Sequence, residues 1–100
     1  MLEQLFETYC KEKRILEGKS ELTIKSYRQA LNRYQKTSPD ELPTEASLKT
    51  FVIAMRESGL KETSCNISIR SFNVFLSWLY ENSHIATRLR IKQIKEPKKG

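Results

Sequence analysis

The segment Lys61–Asn82 constrains this chain most, because apolar residues recur along it at helical intervals on two sides. Cys65, Ile69, Phe72, Phe75, Leu76 and Leu79 form one stripe. Ile67, Val74 and Trp78, at i, i+7 and i+11, form a second. A helix that is apolar on two sides has to be covered on two sides, which puts it at the centre of a helical bundle. No segment alternates with period two for long enough to predict a strand.

Three shorter helices are expected around it. Leu2, Leu5, Phe6, Tyr9, Cys10 and Leu16 predict a helix over about residues 2–17, stopped by Gly18. Ser20 is a good N-cap for the next, since its hydroxyl can accept an otherwise unpaired backbone N–H. The stripe Ile24–Tyr27–Leu31–Tyr34 carries that helix to about Lys36, where TSPDELP breaks it. Thr44 caps a third helix with Leu48, Phe51, Val52 and Met55 on its buried face, ending at Gly59. The fold class expected is therefore all-α: a compact four-helix bundle over residues 1–83, then a basic linker or tail over 84–100 that is mobile.

One hundred residues, 38% of them hydrophobic, make one domain with a small core and little room for a deep catalytic cavity. No apolar run approaches the roughly 18–20 residues needed to cross a bilayer, and the acidic, amphipathic start does not resemble an export signal. A cytoplasmic, nucleoid-associated protein with no membrane partner is expected. Cys10 and Cys65 both fall on apolar faces and read as free thiols. With no CxxC and a single histidine, neither a metal nor a cofactor is expected. His84 has no nucleophile near it in sequence, no phosphate-cradling glycine loop is present, and no carboxylates pair up. Tyr9, Tyr27 and Tyr34 lie on core stripes and Tyr80 on a boundary, so no catalytic residue is assigned.

Charge is concentrated in two places within a formal net of +6. Residues 19–36 hold five basic residues against Glu21 alone, and residues 84–100 hold six against Glu96 alone. On the second helix, Lys25, Gln29, Asn32 and Lys36 fall opposite the buried stripe, flanked by Arg28 and Arg33. An ordinary solvated face mixes signs, and this one does not. The fourth helix opens with Thr63, Ser64, Asn66, Ser68, Arg70, Ser71 and Asn73; serine and asparagine are mediocre helix formers, so their density asks for a reason. Short hydroxyl and amide side chains beside free N–H groups suit phosphates, and Asn66, Arg70 and Asn73 share a face that can reach base edges. In the tail, Arg88, Arg90 and Lys92 alternate, which suits an extended strap along a phosphate backbone.

These pieces resemble a known family in order and spacing. Ser20, Thr23, Ile24, Tyr27, Leu31 and Tyr34 form S-x-x-T-I-x-x-Y-x-x-x-L-x-x-Y. Gly59–Leu60 follows, then Ser64 and Asn66, then Phe75, Trp78 and Leu79 as F-x-x-W-L, then the basic KEPKK. Together they resemble the N-terminal core-binding domain of the tyrosine recombinases, or phage integrases. The sequence departs from that pattern at Lys61, where a serine cap is usual, and at Asn73, where arginine is frequent. Ser64 also replaces a common threonine, and the usual Asn-Pro is missing near Ala86–Thr87.

The resemblance implies a SAM-like four-helix bundle, one jaw of a clamp on double-stranded DNA, with the second and fourth helices at the major groove. It implies Thr23, Lys25, Ser26 and Arg28, beside Gln29, as groove-lining residues of the second helix. From the fourth it implies Ser64, Asn66, Ile67, Arg70 and Ser71. Arg88, Arg90 and Lys92 would follow the backbone. The partners implied are DNA, other recombinase protomers and a separate C-terminal catalytic domain that this chain does not contain, so no DNA cutting is expected of it. The rival reading is a SAM-like protein-interaction module without DNA binding, docking through Ile67, Val74 and Trp78 and favoured if Trp78 is exposed.

Overall fold

The computed structural model describes residues 1–96, among which four helices and no strand occur: α1 (Leu2–Ile15), α2 (Glu21–Gln35), α3 (Glu45–Glu57) and α4 (Glu62–Glu81). Their ends follow local chemistry. Gly18 takes φ 65°, which lets the Lys19 N–H reach back to the Lys13 carbonyl and close α1. Ser20 Oγ accepts the Thr23 N–H at 3.3 Å. Thr44 and Ser47 cap each other's backbone N–H groups at the start of α3. Lys61, the residue standing in for a serine cap, makes no side-chain cap at all. Asp40 instead caps a neighbouring helix, its carboxylate accepting the Leu2 N–H at 2.6 Å and so tying the α2–α3 loop to the start of α1.

Aromatic rings join the helices at the core. Phe75 of α4 lies edge-on to Phe6, 4.9 Å from Tyr9 and 5.7 Å from Phe72, and stacks near Trp78. Tyr34 stacks on Phe72 at 4.8 Å and meets Phe51, so α2, α3 and α4 share one aromatic layer. Its hydroxyl is held by Ser47 Oγ and the Glu41 carbonyl, both at 2.9 Å. Tyr9 has no such partner: its hydroxyl is buried and unbonded, and burial pushes the phenol pKa far up. An unsatisfied buried hydroxyl costs roughly 1–3 kcal/mol. Tyr9→Phe is therefore expected to stabilise the domain, raising Tm by about 4–8 °C per kcal/mol recovered; a lower urea midpoint would contradict this.

The stripe on α4 that includes Ile67 and Val74 is not a packing surface. Ile67 is 44% exposed and Val74 is also exposed, whereas Trp78 is buried and donates its indole N–H to Glu12 at 3.1 Å. Leu16 likewise lies beyond the end of α1 and is exposed.

The second cover on α4 comes from the segment after it, where a mobile linker was expected. The side-chain amides of Asn73 and Asn66 each exchange two hydrogen bonds with this segment's backbone: Asn73 with Ile91 (2.8 and 3.0 Å) and Asn66 with Ile94 (2.8 and 2.8 Å). Ile91 is buried, and Ile85, Leu89 and Ile94 pack against the core. Seven helical residues and three extended residues each span roughly 10 Å, so the two amides meet the two isoleucines in register. The strap, residues 85–96, thus runs back along α4 towards its N-terminus. Pro97 to Gly100, with Lys98 and Lys99 of the expected tail, lie outside the described residues.

Candidate nucleic-acid interface

Around the outside of α2 the side chains separate into two edges. Lys25, Gln29, Asn32 and Lys36 are exposed, as their spacing predicts. Arg28 turns towards α1, where one guanidinium nitrogen donates to both Glu3 oxygens at 2.7 Å and the group lies 4.7 Å from the Phe6 ring centre. Lys25 and Arg28 line a cleft between α1 and α2 together with Glu7, Cys10, Lys11 and Arg14. Lys11 and Arg14 were missed as neighbours of the basic face because the first helix is acidic in sum. Arg14 is itself paired with Glu21 at 3.3 Å.

Arg33, on the other edge, crosses to α4 and donates to Ser68 Oγ at 2.6 Å. This bond marks a seam between the two helices. By helical spacing, Ser26 and Gln29 fall on the face of α2 that carries Arg33, and Ser64 and Ser71 on the face of α4 that carries Ser68. Ser68 is buried, while Ser26, Ser64 and Ser71 are half-buried. Ile67 and Arg70 stand exposed beyond the serine row. Thr23 is half-buried in the first turn of α2, its hydroxyl 3.1 Å from that of Ser20.

Two groups expected on this surface lie elsewhere. Asn66 is only 2% exposed, with its amide occupied by the Ile94 backbone, so it presents no free polar group at the surface. Asn73, on the same face, is occupied likewise by Ile91. The serine and asparagine density at the start of α4 thus has a structural share: Ser68 receives Arg33, and Asn66 and Asn73 hold the strap. Arg88, Arg90 and Lys92 are exposed and extended in alternation, but they line a groove against α3 that no residue of α2 or α4 enters. The arrangement therefore offers one polar seam of hydroxyls and an amide, with cations at its margins.

Among the described residues no group of three or more histidines, cysteines or carboxylates could hold a metal. His84 packs on Trp78, with ring centres 5.2 Å apart. Both cysteines are free thiols, Cys65 buried and Cys10 half-buried. No helix among the described residues is long and apolar enough to cross a membrane.

Comparison with curated proteins and with solved structures finds no match. The family described as "Phage integrase, N-terminal SAM-like domain" matches residues 2–82, which takes in all four helices and the whole seam. By fold, by motif order and by this match over most of its length, the chain belongs to the phage integrase N-terminal SAM-like domain family, and so to the tyrosine recombinases.

Proposed function

We propose that this domain binds duplex DNA along the α2–α4 seam, as the non-catalytic jaw of a recombinase clamp. The observation that carries the reading is the pair of rows meeting at Arg33 and Ser68. Hydroxyls and an amide at helical spacing suit phosphate oxygens and groove edges, and Lys25, Lys36 and Arg70 supply charge outside them. Thr23, Ser26, Gln29, Ser64 and Ser71 position the backbone, Ile67 meets an apolar base edge, and Arg28 reaches a phosphate from the α1 side only by leaving Glu3. Asn66 is left out because the strap occupies it. DNA cutting and rejoining belong to a separate catalytic domain of the recombinase, and the isolated jaw binds weakly because the clamp needs both halves. The rival reading loses most of its docking patch with Trp78 buried, which leaves Ile67 and Val74.

Neutralising about four phosphates gives a slope of roughly −3 to −4 for log K against log[salt]. Lys25→Ala and Arg70→Ala are each expected to make that slope shallower by about one, without sequence preference. A flat salt dependence for the intact domain rules the reading out.

A further inference from the structure

Between α3 and the strap runs an open groove of about 1010 Å³. Its floor is apolar, with Leu48, Val52 and Ile53 from α3 facing Ile85, Leu89 and Ile91 of the strap. Ile53 is 57% exposed, a large aliphatic side chain with no cover. Lys49, Arg88, Arg90 and Lys92 stand around this floor, against Glu45 as the one carboxylate lining the groove. Arg88 is steadied over the Tyr80 ring, its guanidinium carbon 5.7 Å from the ring centre. Among the described residues these four cations form no ion pair, whereas Lys13, Arg14, Arg28 and Arg56 each have one.

We propose that this groove docks an acidic, amphipathic segment of a partner protein, with aliphatic side chains on the floor and carboxylates on the rim. Charge complementarity selects the occupant: four unpaired cations around uncovered aliphatic surface call for a ligand that brings both kinds of group. A DNA backbone brings phosphates with only the small apolar faces of its sugars, too little to cover an aliphatic floor that includes Ile53. The volume lies at the upper end of small-molecule sites, and a groove lined along one side by α3 and along the other by the strap suits a peptide better than a compact ligand. One wall is the strap itself, so the groove exists only while Asn66 and Asn73 hold that strap in place. The site is separate from the α2–α4 seam and does not depend on the DNA reading.

The probe is a synthetic helical peptide with leucines at i, i+3, i+4 and i+7 and glutamates at its remaining positions. It is titrated into the 15N-labelled 100-residue chain. Saturable shifts are expected at Lys49, Ile53 and Leu89, with Kd below about 1 mM. Lys49→Glu should weaken binding about tenfold. Ile53→Glu, a change at an exposed position that leaves the rest of the spectrum in place, should abolish it. Asn73→Ala should reduce binding by loosening the strap wall. Three results overturn the proposal. In one, the same peptide with lysines for glutamates binds equally well, making the groove an unselective apolar patch. In another, duplex DNA shifts these resonances and the acidic peptide does not, making the rim a phosphate surface. In the third, neither ligand binds.

Discussion

Replacing Asn66 and Asn73 together with alanine is expected to release the strap while leaving the four helices folded. The double change removes four hydrogen bonds between side-chain amides and the backbone of Ile91 and Ile94. At a net 0.5–1.5 kcal/mol each, they contribute about 2–6 kcal/mol to strap docking. Since 1.4 kcal/mol is a factor of ten, hydrogen-exchange protection at the Ile91 and Ile94 amides should fall by at least roughly 30-fold. Protection in the middle of α4 should barely change, because its own ladder is intact and its core face is untouched. The change also lifts Ile91 out of a buried site, so exposed apolar area rises. If the Ile91 and Ile94 amides of the unmodified chain already exchange as fast as in a free peptide, the docked strap described here is wrong.

Phe75→Ala carries the largest expected loss of stability. The ring is about 1% exposed and touches Phe6, Tyr9, Phe72 and Trp78, so its removal leaves a cavity where α1 and α4 meet. Truncations of this kind cost about 3–5 kcal/mol. Against a total of about 5–15 kcal/mol for a whole domain, that is a large share. A fall in Tm of more than about 12 °C is expected by circular dichroism. A fall of less than about 4 °C would mean that the surrounding rings close over the gap.

The helices were legible because each has its own local signature. Ile24, Tyr27, Leu31 and Tyr34 are all buried, Ser20 and Thr44 both cap, and Gly18 and Gly59 both take positive φ where the chain turns. Family membership was legible through the order of degenerate motifs. The strap was not. Its inward residues Leu89 and Ile91 form too short an alternation to signal order, and its hydrogen bonds go to side-chain amides seven residues apart on a helix. That register depends on two different rises per residue agreeing across the fold, which no local pattern records. The same gap explains Asn66: on a helical wheel its face looked solvent-exposed, and only the returning chain covers it. It also explains Ile67 and Val74, assigned to a packed side whose cover lies instead over the asparagines. The Arg33–Ser68 bond between α2 and α4 was not legible either, since it joins side chains 35 residues apart.

The direction of the strap has a mechanical consequence. Because residues 91 and 94 lie back along α4, the last described residues sit towards that helix's N-terminal end, near Asn66, rather than at Asn82. About 12 residues that would otherwise give up to roughly 40 Å of slack are reeled in. The reach of any residue beyond the strap, and so its effective concentration near the bundle, is then set by two amide groups.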